Sequence, residues 1–194
     1  KNPIGIAGWD DEFGVSGSET HDDTEVSRRA QQFLEKNQNN IQPFALFLSY
    51  TNPHDIYRFD KEKEPKPNKK IKLPETWYNK EFSKVPAIQN QFMREDQGKV
   101  IVDLDSPAWE RYREIYREKV KLYDDEIGKV LSTLERIGKK DATLTLLTSD
   151  HGDMLGDHHL WRKCRPYEGS ARIPMIIRWP ENLKLDAERG QIRN

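Results

Sequence analysis

An α/β fold, with a mostly parallel sheet and helices on both of its faces, is the architecture this sequence predicts. Two stretches carry apolar residues at helical spacing, three short apolar runs alternate with them, and polar residues of chemical interest follow two of those runs. Apolar runs without polar alternation are expected of strands covered on both faces, and ligands of such folds gather beyond the carboxyl ends of the strands. The first helix is predicted from Asp23 onward, because Val26, Ala30, Phe33 and Leu34 share one helical face behind capping residues. Phe44 to Tyr50 follows as the first predicted strand and ends at Asn52-Pro53-His54. The second helix is the longest element: Trp109, Tyr112, Tyr116, Val120, Tyr123, Ile127, Val130, Leu134 and Ile137 recur every three or four residues up to Gly138. Ala142 to Thr148 is the second predicted strand, with Asp150 and His151 just beyond it, and Ile173 to Trp179 is the third, its proline near the start. Between about residues 60 and 107 the text is rich in Lys, Glu, Pro and Asn, with Trp77, Tyr78, Phe82 and Phe92 at no regular period. It reads as a long surface excursion whose aromatic residues pack down in part.

Composition narrows the function classes. With 194 residues and 34% charged side chains the chain is one polar globular domain in size, and its net charge of -1 comes from interleaved acids and bases. A phosphate-tracking surface needs a basic excess on one face, so a nucleic-acid partner is not expected. No stretch approaches the run of about 18 apolar residues that a membrane helix requires. The chain opens Lys1-Asn2-Pro3 with neither a charged n-region nor an apolar h-region, so any signal peptide is expected to have been removed or to lie upstream. A single cysteine, Cys164, excludes an internal disulfide and any multi-cysteine metal site.

The chemistry concentrates after the second predicted strand. Residues 150–159 hold three carboxylates (Asp150, Asp153, Asp157) and three imidazoles (His151, His158, His159). Mixed oxygen and nitrogen donors suit a divalent cation, and Gly152 and Gly156 permit a tight fold around it. A solvated turn with incidental His and Asp explains the spacing equally well, because no closed zinc pattern is present.

From Leu147 to Pro180 the text LTSDHGDMLGDHHLWRKCRPYEGSARIPMIIRWP resembles the second signature region of the sulfatases of the alkaline-phosphatase superfamily. That family's pattern runs SDHG, then G-x-H-G, a lysine, Y-E-x-S-x-R-x-P and an apolar strand. Thr20 to Leu34 is similar to the helix before the family's central strand, Pro43 to His54 to its strand ending in Pro-His, and Tyr116 to Gly138 to its D-D-x-I-G-x-V-L helix. The resemblance implies that residues 1–194 are part of a sulfatase catalytic domain, with 60–107 inserted at the surface. The nucleophile region is then expected upstream and the C-terminal subdomain downstream, so that the piece alone is inactive. It implies Asp150 and His151 as ligands of a divalent metal, calcium in most of the family, and Lys163 as the contact to the sulfate ester. His54 is implied beside the sulfate, where an imidazole can donate to an ester oxygen or protonate the leaving alcohol. His158 is implied at the substrate edge, and an extracytoplasmic location, periplasmic or secreted, follows from the family's habits.

The departures have consequences of their own. His159 replaces the family's glycine, and Arg162 and Cys164 flank Lys163 where small residues are usual. A bulkier, more basic rim made by His159 and Arg162 is expected to take an anionic substrate such as a sulfated sugar. Cys164-Arg165-Pro166-Tyr167-Glu168 imitates the C/S-x-P/A-x-R motif from which the family makes its formylglycine nucleophile, but Glu168 stands where that motif needs arginine. Cys164 is therefore read as a loop thiol, and the formylglycine is expected upstream. Two other readings compete: a phosphodiesterase or phosphonate hydrolase of the same superfamily, using the Asp-His pair for phosphoryl chemistry, and a binding module that kept the fold without the catalysis.

Overall fold

The computed structural model describes residues 23–60, 63–64, 66–78, 84–95, 105–163 and 165–180. Cys164, Phe82 and the first residues of the predicted Thr20 to Leu34 match lie outside them. The chain divides into two compact units. One takes Glu126–Leu147 with the described parts of Lys1–Ser49 and Met175–Asn194, and the other takes Tyr50–Asp125 and Thr148–Pro174.

In the first unit, helix α1 (Asp23–Lys36) forms where the periodicity places it, with Asp23 and Glu25 in its first turn and Lys36 in its last, charges that complement the helix dipole. The Asn37 side-chain amide closes the helix by donating to the Phe33 carbonyl at 2.9 Å. Ala30 and Leu34 are buried against Val130 and Leu134, with Phe33, Phe44, Leu46, Leu48 and Ile137 packed around them. Burying each large aliphatic side chain in such a cluster is worth about 1.5–3 kcal/mol. The Gln31 amide crosses to the Thr133 hydroxyl at 2.9 Å, and Arg136 pairs with Glu35. The run from Phe44 to Tyr50 alternates half-buried with exposed residues and carries no strand pairing. It is therefore not the doubly covered strand expected from its composition.

The sheet among the described residues has two strands, β1 (Thr145–Thr148) and β2 (Met175–Arg178). Leu144, Leu146, Met175, Ile176 and Ile177 are each more than half exposed. The mostly parallel sheet predicted from the apolar runs thus reduces, in the described residues, to one pair of short strands. An apolar run reveals a strand's tendency to be covered but not which partner supplies the hydrogen bonds.

The second unit has its own core. Helix α2 (Ala87–Glu95) and the long α3 (Ser106–Arg136, which continues into the first unit) bring Phe92, Trp109, Tyr112 and Ile115 together with Ile56, Leu73, Trp77, Met154, Leu160 and Trp161. Asp105 caps α3 by accepting the Ala108 amide at 3.0 Å, and Lys139 donates to the Leu134 carbonyl at 3.1 Å where Gly138 ends it with φ +71°. Within 60–107 Trp77 and Phe92 pack down, as expected of its aromatic residues, and Ile71, Leu73 and Gln89 are buried as well. Apolar residues without a period can still be core residues when irregular turns, here a 3₁₀ turn at Glu75–Trp77, aim them inward. A short helix, α4 (Glu168–Ala171), completes this unit.

Candidate active site

The site lies in the second unit, on the loop from Ser149 to Lys163 and on a 3₁₀ turn, His54–Arg58. The loop is tied across its base by the Met154 amide to the Arg162 carbonyl at 2.9 Å and the Gly156 amide to the Leu160 carbonyl at 2.8 Å. Buried Met154, Leu160 and Trp161 anchor it in the core. Leu155, His158, His159 and Arg162 all have left-handed backbone angles, φ between +46° and +60°. Each such non-glycine residue costs on the order of 1–2 kcal/mol, and packing must offset it.

Three of the predicted residues converge. The Lys163 Nζ lies 2.7 Å from His151 Nε2 and 3.4 Å from His54 Nε2. The His54 and His151 rings are 6.3 Å apart, centre to centre. His151 Nδ1 is 2.7 Å from the Gly152 carbonyl, an acceptor, so Nδ1 carries the proton and the Nε2 lone pair accepts from the ammonium. Asp150 accepts the His151 amide at 3.0 Å and has its Oδ2 3.5 Å from His151 Nε2. Partial burial raises the Asp150 pKa, but the neighbouring His151 ring, the backbone amides of Asp150 and His151 and the Lys163 ammonium outweigh it, leaving the carboxyl below its usual range.

Two donors each about 2.3–2.5 Å from one cation, at right angles, stand roughly 3.4 Å apart, so the spacing of Asp150 Oδ2 and His151 Nε2 suits a shared ion, with the Lys163 ammonium facing Nε2 where no ion is bound. Among the described residues no group of three or more His, Cys, Asp and Glu converges to complete a shell. Asp150 and His151 would therefore supply a pair of ligands only.

The other predicted residues divide. Arg162 donates to the Tyr57 carbonyl at 3.0 Å and lays its guanidinium 4.9 Å from the Tyr57 ring centre and 4.2 Å from that of Trp161. His158 stacks on Tyr167 with centres 4.2 Å apart, its amide held by the Thr76 hydroxyl at 3.0 Å. His159 corrects the sequence expectation. It is 2% exposed, its ring lies 5.3 Å from Trp77 and 5.7 Å from Trp109, and it is a core residue rather than part of a substrate rim. A left-handed backbone at His158 and His159, invisible in spacing, separates the two adjacent imidazoles.

Asp153 and Tyr57 were not singled out in the sequence. Asp153 accepts the Leu155 amide at 2.9 Å and faces the Tyr112 hydroxyl at 3.3 Å. Burial raises its pKa, against the amide and the hydroxyl that favour its charged form. Tyr57 touches His54, with ring centres 4.6 Å apart. A cluster of acids gave no means of choosing which would be buried, and a tyrosine three residues after His54 carries no motif.

The loop and the 3₁₀ turn thus bring a carboxylate, two imidazoles and an ammonium together. The chain belongs to the sulfatase family, whose model matches residues 4–192. It is 34% identical over 164 residues to an arylsulfatase of Clostridium perfringens, an alignment covering 77% of this chain and 30% of that protein. It is 38% identical over 96 residues to an N-acetylglucosamine-6-O-sulfatase of Bacteroides thetaiotaomicron, covering 50% of this chain and 17% of that protein. The solved structure of a 2-O GAG sulfatase shares the fold with a TM-score of 0.69 at 18% identity, over 88% of this chain and 38% of its own. The chain thus spans about a third of the length of the first relatives it matches.

Proposed function

We propose that this chain supplies part of the sulfate-ester site of a sulfatase, with Lys163 and His54 acting on the ester and Asp150 and His151 holding a divalent cation, calcium by family habit. The observation that carries the reading is the Lys163 ammonium set between two imidazoles, 2.7 Å and 3.4 Å away. An ammonium there neutralises oxygens of the transferring group without demanding bidentate geometry. His54 stands within reach of the same ester to donate a hydrogen bond or protonate the departing alcohol. Asp150, held ionised, offers its carboxylate to a cation, and the Nε2 lone pair of His151 would join it once Lys163 turns from that nitrogen to the ester; the bound cation would add charge neutralisation at the ester oxygens. The nucleophile of this reading is a formylglycine elsewhere in the full-length protein. The basic Arg162 beside Lys163 favours a sulfated sugar as substrate, in keeping with the sugar named for one relative.

The test is hydrolysis of an aryl sulfate by the full-length protein with calcium and with chelator. Turnover that needs the metal and falls about 10²–10³-fold in Lys163→Ala is expected, together with weaker calcium binding by titration calorimetry in Asp150→Ala. Calcium binding without turnover would favour the binding module, and turnover indifferent to Lys163→Ala would refute the assignment.

A further inference from the structure

Beside the reacting cluster lies one side chain that the sulfate reading does not use. The Tyr57 ring centre is 5.6 Å from Lys163 Nζ, 4.9 Å from the Arg162 guanidinium carbon and 4.6 Å from the His54 ring centre. Its own position is held twice: the 3₁₀ turn His54–Arg58 fixes its backbone, and Arg162 donates to its carbonyl at 3.0 Å. Lys163 is long and flexible, and an unconstrained ammonium of this kind loses much of its freedom on gripping an ester. A ring face within about 6 Å attracts a cation through its quadrupole, most strongly where water is partly excluded.

We infer that Tyr57 is a positioning residue for Lys163, its ring face keeping the ammonium in the gap between His54 and His151 before substrate arrives. Arg162 serves the same end indirectly, by bonding to the Tyr57 carbonyl and covering the ring. The part of the molecule that does this is the aromatic ring and not the phenol, so phenylalanine substitutes for it and leucine does not. The contact stands on the geometry alone; its catalytic consequence rests on the sulfate-ester reading.

Two measurements on the full-length protein test it separately. With lysine labelled at the ε-carbon, the Lys163 ε-methylene resonance, assigned by its loss in Lys163→Ala, is expected upfield from ring current and to show an NOE to the Tyr57 ring protons. It keeps its position in Tyr57→Phe and moves toward the free-lysine position in Tyr57→Leu. Absence of the NOE in the unsubstituted protein overturns the proposal whether or not Tyr57→Leu folds. In the kinetic arm, Tyr57→Leu lowers kcat/KM for an aryl sulfate about tenfold while Tyr57→Phe stays within about twofold. In a Lys163→Ala background Tyr57→Leu has no further effect, because two residues acting through one contact are not additive. A tenfold loss that persists in that background shows a merely structural role and refutes the inference. If the unsubstituted protein hydrolyses no sulfate ester, the sulfatase reading falls while the NOE still decides the contact.

Discussion

Gly152 follows His151 directly, and replacing it by alanine tests how firmly the loop is seated. Its amide donates to the Ser170 carbonyl at 2.8 Å, so the backbone here lies flat against the start of α4. A methyl group built at Gly152 would overlap the Gly169 carbonyl oxygen, with the Gly169 carbonyl carbon at 3.2 Å and the Arg172 oxygen at 3.4 Å. Those neighbours are backbone and cannot swing aside as a side chain could. Overpacking of this kind costs about 1–3 kcal/mol, and stretching the amide bond to Ser170 adds about 0.5–1.5 kcal/mol, so a destabilisation of roughly 2–4 kcal/mol is expected. The strain also displaces His151 relative to Lys163, and a shift of about 1 Å in reacting groups is worth on the order of 10²-fold in rate. Urea unfolding followed by fluorescence and, on the sulfate-ester reading, aryl-sulfate kcat/KM of the full-length protein well below the unfolding midpoint give the two numbers independently. A Gly152→Ala protein with unchanged stability and turnover would refute the reasoning, because it would mean that the loop does not press on α4.

Gly128 is the contrasting case. It lies inside α3 with open space around the position of a Cβ, so Gly128→Ala is expected to raise stability by about 0.5–1 kcal/mol, read as a higher urea midpoint with an unchanged slope. Glu25 predicts a pH dependence. Hydrogen bonds from Arg28 and then Arg29, at 2.6 Å, lower its pKa from 4.5 to about 2. A depressed carboxylate stabilises the folded form above its unfolded value of about 4.5, and that contribution disappears as the pH falls through about 2. The melting temperatures of the unsubstituted protein and Glu25→Gln should therefore differ at neutral pH in low salt and converge in acid; a constant gap across that range would contradict the assignment.

Helices were the most legible part of the sequence. The spacing of Val26, Ala30, Phe33 and Leu34 and the series from Trp109 to Ile137 located α1 and α3 to within a few residues, because helical hydrogen bonds are local and a buried stripe must recur every three or four residues. The third apolar run likewise contains β2, and the second contains β1. The first run shows the limit of that evidence: Phe44 to Tyr50 has a strand's composition but no strand pairing in the described residues.

The candidate site divides in the same way. Residue types and order singled out Asp150, His151, Lys163 and His54, since the family's pattern is a pattern of letters. Their convergence across 109 positions, from His54 to Lys163, was beyond the reach of spacing. Neither could spacing reveal that adjacent His158 and His159 part company, one on Tyr167 and the other between Trp77 and Trp109. That separation is made by left-handed backbone angles and by aromatic residues from a segment whose text looked like loop. Chemical identity is carried by single residues and survives in the linear order; burial, register and ring contacts are relations between distant residues, and only the folded chain specifies them.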